Sequence, residues 1–255
     1  MTAHRRCATL PTRAWVPGAT RFGRIVVRWR EGQGLKTHEF LKLPFAGLAA
    51  SMVVSLLMLA VAGSAFAQCR PVTERTLEIG CWIVAHAPLG RLSEPAVFWH
   101  LDSYPTRAEA EAAKGPRGTV IESLGKVWLS SLEPAGWRPS GGVRVAAIGP
   151  LLVRAGEQYT AQYMEAIFSP GMTTEVHYHP GPEALYTTAG EVCFEMPHGK
   201  IVGRAGEGTI MQAGHLHTLT ATGTQQRRSL ALVVHESSQP WRLPSSDWSP
   251  TGLCK

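Results

Sequence analysis

"GMTTEVHYHPGPEALYTTAG", Gly171 to Gly190, sets two histidines two apart, a glutamate four residues further on and a glycine at either end. Residues i and i+2 of a strand share a face, so His177 and His179 project side by side. Pro180-Gly181-Pro182 then turns the chain, and Glu183 opens the returning strand, where its carboxylate comes back to the same point. Two imidazoles and a carboxylate converging from strands suit a divalent metal. Imidazole favours Fe, Zn, Cu or Ni, and carboxylate accepts Mn as well.

A second cluster, "GEGTIMQAGHLH" from Gly206 to His217, supplies His215 and His217. The stretch between Gly190 and Gly206 is long enough for one hairpin, which brings His217 back beside the first cluster. His215 shares a face with His217 if that strand is regular, and Glu175 shares the face of His177. Both are candidates for proton transfer near the site, each with a solvated rim or edge position as its other reading.

Taken together, the spacings resemble those of the cupin superfamily. Gly171, five residues, His177-Tyr178-His179, three residues, Glu183, six residues and Gly190 match each fixed position of that family's first motif. Gly206, five residues, Gln212-Ala213-Gly214, two residues and His217 resemble the second. Gln212 stands where proline is usual and Ala221 where asparagine is, which touches local geometry rather than the ligands. The resemblance covers Leu151 to Glu236. It implies a mainly β fold, a double-stranded β-helix (jelly-roll-like) barrel, with a divalent metal ion held by His177, His179, Glu183 and His217. It also implies a homodimer, since similar barrels often pair through outer strands.

Outside the two motifs the chain reads in the same terms. Past Pro150, short apolar segments alternate with Gly/Pro turns such as Pro170-Gly171, Pro197-His198-Gly199 and Gly223, the pattern of an antiparallel sandwich or barrel over 151–240. Before it, "CWIVAH" and "AVFWHL" read as strands. "YPTRAEAEAAKGPRG" reads as a helix capped by Thr106 and Glu109 and stopped at Gly115-Pro116, and "TVIESL" and "VWLSSL" read as a hairpin around Gly125-Lys126. This predicts a small β-α-β-β extension over 68–150. The tail, 241–255, is rich in Pro and Ser, but its two tryptophans indicate that it packs on the body.

The segment 1–67 differs from the rest. It carries nine Lys/Arg and two acids, so of the chain's 25 basic and 19 acidic residues, 16 and 17 lie beyond it. The basic balance therefore belongs to the leader, and a nucleic-acid partner loses its support. A positive flank, an apolar run from Phe45 to Ala62 and Ala65-Phe66-Ala67 form the layout of a secretory signal peptide cut after Ala67. The expected product is periplasmic or secreted, with no membrane association after cleavage. It keeps Cys69, Cys81, Cys193 and Cys254. An even count in an exported chain is compatible with disulfides. One bond among Cys69, Cys81 and Cys254 is expected, with Cys193, inside an apolar strand, as a buried thiol.

Fold alone does not choose among the dioxygenases, oxalate-type decarboxylases, isomerases and non-enzymatic binders of the family it resembles. The expectation is a metal-dependent enzyme of oxidoreductase or dioxygenase type acting on a small oxygenated organic molecule. The other reading is a non-catalytic periplasmic module that binds or senses a small ligand or metal.

Overall fold

The computed structural model describes residues 68–255; the leader and signal peptide expected over 1–67 lie outside them. The described chain is mainly β. Its strands are β1 (Cys69–Pro71), β2 (Gly80–Arg91), β3 (Ala96–Tyr104), β4 (Gly118–Ser123), β5 (Lys126–Glu133), β6 (Val143–Leu152), β7 (Gln158–Phe168), β8 (His177–Tyr178), β9 (Glu183–Ala189), β10 (Glu191–Met196), β11 (Gly199–Arg204), β12 (Gly208–Met211), β13 (Thr218–Thr222), β14 (Arg227–Glu236) and β15 (Leu243–Pro244). One α-helix, α1 (Arg107–Ala113), lies between β3 and β4.

A six-stranded sheet in the order β1-β2-β7-β14-β9-β12 forms one wall of the barrel, and a three-stranded sheet, β11-β10-β13, faces it. The alternation of side chains along a strand explains how the wall serves two cores. Met164, Ala166 and Phe168 of β7, Leu185 of β9, and Ala231 and Val233 of β14 meet Val192 and Phe194 of β10 and Leu219 of β13 inside the barrel. The residues between them, including Tyr159, Ala161, Tyr163, Ala184, Leu230, Leu232 and Val234, face the other way. There they pack against Trp99, Leu101, Trp128 and Leu132 of a four-stranded sheet, β4-β5-β3-β6. The N-terminal segment is therefore a layer laid on the back of one barrel wall. Burying that second face is what leaves β7, β9 and β14 buried along nearly their whole length.

The expected β-α-β-β extension corresponds to β3-α1-β4-β5, with β6 as a fourth strand. The "CWIVAH" run does not belong to it. As part of β2 it pairs antiparallel with β7 and is a barrel strand. Thr106 accepts the Glu109 backbone amide at 3.2 Å and starts α1, as the capping pattern predicts. The β4–β5 turn is centred on Leu124-Gly125, one residue before the expected position; both have positive φ, 52° and 73°. The Leu124 amide donates to buried Glu165, which holds the non-glycine residue in that conformation.

The cysteines meet the expectation of one bond among Cys69, Cys81 and Cys254 and correct the reading of Cys193. Cys69 pairs with Cys81 and Cys193 pairs with Cys254, so there are two bonds, and Cys193 is not a thiol. Strand pairing sets β1 beside β2 with Cys69 opposite Cys81. The C-terminal turn folds back to β10, where buried Glu195 accepts the amides of Thr251 (2.5 Å) and Gly252 (2.8 Å). Both pairings depend on contacts that residue spacing does not reveal.

Candidate metal centre

His177 sits on β8, a two-residue strand held between two partners. It pairs with Pro244 of β15 and forms a bridge with His217 in which each backbone amide donates to the other's carbonyl, at 3.0 and 2.9 Å. His179 follows β8 directly, and Glu183 begins β9, where its odd-numbered position faces the barrel interior with Leu185. The reversal between them is tight. A Cβ on Gly181 would collide with the Val234 carbonyl oxygen, so only glycine lets this turn lie against β14.

All three imidazoles are buried and oriented alike. The Nδ1–H of His177 donates to the Glu175 carbonyl at 2.8 Å, that of His179 to the Trp241 carbonyl at 2.6 Å, and that of His217 to the His215 carbonyl at 2.9 Å. A carbonyl can only accept, so each ring carries a proton on Nδ1 and turns Nε2 inward, where the neutral ring presents a lone pair. Donor atoms of His177, His179 and His217 lie within 4.8 Å of one another. Glu183 Oε2 lies 3.3 Å from His217 Nε2 and 3.6 Å from His179 Nε2. These three atoms are buried without a hydrogen-bond partner.

Burial, followed by the neighbouring rings, holds His177 down at about 2; burial likewise lowers His179 to about 4, against the pull of Glu183. Burial pushes the Glu183 carboxyl up, but the His179 and His217 rings outweigh it and keep the group low, at about 2. At neutral pH His177 and His179 are thus neutral imidazoles, acceptors like the Glu183 carboxylate beside them. Buried acceptors aimed at one another are repulsive unless a cation lies between them. Ligands ~2.1 Å from a common ion and ~90–110° apart stand ~3.0–3.4 Å from each other, close to the 3.3 and 3.6 Å that separate Glu183 from His217 and His179. The residues therefore fit a divalent metal, and the carbonyls on the three Nδ1 atoms supply the outer contacts that orient such ligands.

A cavity of about 40 Å³ opens beside the cluster, lined by His177, His179, Glu183, Arg227, Arg242 and the apolar barrel interior. Glu175 and His215 are not in it. Glu175 borders a larger neighbouring groove, and its carboxylate is linked to the cavity through a 3.7 Å ion pair with Arg242. The His215 side chain is exposed, because Gln212 to His215 form a turn before β13 rather than a regular strand; its contribution is the carbonyl that holds His217. Three residues escaped the sequence reading. The Trp241 ring stacks on His179, with centroids 5.8 Å apart, and Arg242 follows it. Arg227 begins β14. The parity of "RRSLALVVHE" puts Arg227 on one face with Ala231 and Val233, a signal available in sequence once the inward face is known.

No protein-family model matches the chain, and no curated protein does. Similar solved structures include a cupin superfamily protein from Desulfitobacterium hafniense (15% identity, 34% of this chain and 74% of that one, TM-score 0.28). A cupin-like protein from Thermotoga maritima aligns at 17% identity over 33% of this chain and 64% of its own, TM-score 0.31. A DMSP lyase from Ruegeria pomeroyi aligns at 22% identity over 36% of this chain, TM-score 0.30, and the match spans 45% of that protein's length.

Proposed function

We propose that this barrel is a metal-dependent enzyme of oxidoreductase type, holding Mn, Fe, Zn, Cu or Ni on His177, His179, Glu183 and His217 and acting on a small oxygenated organic molecule. The observation that carries the reading is the set of three buried donor atoms, on His179, Glu183 and His217, that meet without a hydrogen bond among them. When bound, the ion supplies polarisation of an oxygen donor or activation of dioxygen. The chain's own residues orient the ligands through the Glu175, Trp241 and His215 carbonyls, exclude water with the apolar barrel wall, and bind the organic molecule in the cavity. Two disulfides support the further proposal that the protein works in an oxidising, exported compartment.

One observation favours the second reading, a non-catalytic ligand- or metal-binding module. Among the described residues lining the cavity, no acid or base is free of the ligand set except the two arginines. Chemistry there has to proceed without Glu175 or His215 as a direct proton carrier. Oxygen uptake and product formation by the metal-loaded chain, screened over small hydroxy acids, keto acids and diketones, separate the two. Turnover lost in His177→Ala supports the enzyme; binding without turnover across the panel would refute it in favour of the module.

A further inference from the structure

Arg227 is fully buried, at 0% exposure, and points into the barrel beside the metal donors. Its guanidinium lies over the Phe168 ring, 4.3 Å from the centroid, and its Nε and Nη1 atoms have no hydrogen-bond partner. No carboxylate forms an ion pair with it among the described residues. Burial lowers it to about 9, against the pull of Glu183, which leaves it cationic at neutral pH. A buried charge without a partner is strongly unfavourable, so its retention calls for a partner that binds there.

The charges around the cavity identify that partner. Glu183 is the one carboxylate among the described lining residues. Arg242 also lines the cavity, and Glu175 offsets its charge. A divalent ion on the donor set would more than cancel Glu183 and leave the Arg227 charge uncompensated, so the enclosed space carries excess positive charge until an anion enters. The guanidinium fork suits a planar carboxylate. The remaining wall is apolar, formed by Met164, Ala166, Leu185, Leu219 and Ala231, and suits a short carbon skeleton. The cavity is small, about 40 Å³, which favours a short acid over a long one.

We propose that Arg227 is a substrate-binding residue that holds the carboxylate of a small organic acid beside the metal donors, so that the substrate class is a short-chain carboxylic acid. This rests on the metal-enzyme reading above. The test is calorimetric titration of formate, glycolate, oxalate and pyruvate, their neutral amides and inorganic phosphate into the zinc-loaded chain. Wild type, Arg227→Met and Arg227→Lys are compared, with zinc content measured in each. We expect at least one acid to bind wild type about tenfold or more tighter than its amide, and Arg227→Met to lose about tenfold or more of that affinity with zinc content unchanged. Arg227→Lys should fall between them. If Arg227→Met does not fold, the lysine variant and the wild-type contrast of acid with amide decide the matter. Equal binding of acid and amide, phosphate binding as tightly as any acid, or undiminished binding in the folded variants would overturn the proposal. Zinc retained without acid binding refutes this inference alone, whereas failure to retain zinc refutes the metal reading and this inference with it.

Discussion

Replacing His217 by alanine removes a donor whose loss can be read separately from its effect on folding. The ring is fully buried, donates to the His215 carbonyl and brings Nε2 to 3.3 Å from Glu183. Structural zinc sites bind with ~10–16 kcal/mol over four ligands, so one donor carries ~2.5–4 kcal/mol on average. At 1.4 kcal/mol per decade that is about two to three decades of affinity. At a free metal concentration of about 1,000 Kd the wild type gains ~4 kcal/mol of stability, while a variant about two decades weaker gains ~1.4. In a domain of this size 1 kcal/mol moves Tm by ~2–4 °C, so chelation should lower the wild-type Tm by ~8–16 °C and that of His217→Ala by ~3–6 °C. The variant also loses the donor to the His215 carbonyl, which costs about 1–3 kcal/mol with or without metal. The informative quantity is therefore the drop on adding chelator, measured by circular dichroism alongside metal content by elemental mass spectrometry. Equal drops and equal metal contents in the two proteins would refute the assignment of His217 as a ligand. His215→Ala keeps the backbone carbonyl and should behave as wild type.

Metal-free protein should lose stability as pH falls below about 6.5, because His177 and His179 are held neutral by burial, at about 2 and about 4, and take up protons on unfolding. Their contribution is complete above the ordinary value of 6.5 and declines by up to ~1.4 kcal/mol per pH unit for each histidine, with Glu183 adding a decline in the same direction from 4.5 towards 2. A Tm unchanged between pH 5 and 7 would contradict this. Replacing Cys193 and Cys254 together by serine opens a loop of 61 residues, and urea unfolding should show a loss of about 4 kcal/mol on loop-closure entropy. Gly190→Ala should destabilise by about 1–3 kcal/mol in the same assay, since Gly190 has φ 69° and a Cβ there would stand 2.8 Å from the Arg227 Cα. Trp241→Ala keeps the carbonyl that orients His179 but removes the stacked ring, and a competition assay with a metal-binding dye should show affinity weakened about tenfold.

The spacing of His177, His179 and Glu183 was enough to place them together, because strand periodicity and a Pro-Gly-Pro turn are local properties of the chain. The same local logic found α1 and its Thr106 cap, the succession of short barrel strands and the Gly-bounded turns. It failed where a conclusion depended on a strand continuing. His215 shares a face with His217 only in extended chain, and the turn from Gln212 to His215 breaks that parity. Three further features were decided by tertiary structure alone: the assignment of β2 to the barrel, the Cys193–Cys254 bond, and the convergence of Arg227 and Arg242 on the candidate metal site. Each joins residues far apart in sequence, and an arginine at the head of an apolar strand looks the same in sequence whether it faces solvent or the barrel interior. The choice of face is made by packing. Once Tyr163, Leu230 and Leu232 are covered by the four-stranded sheet, the opposite parity, with Arg227 on it, has only the interior of the barrel to occupy.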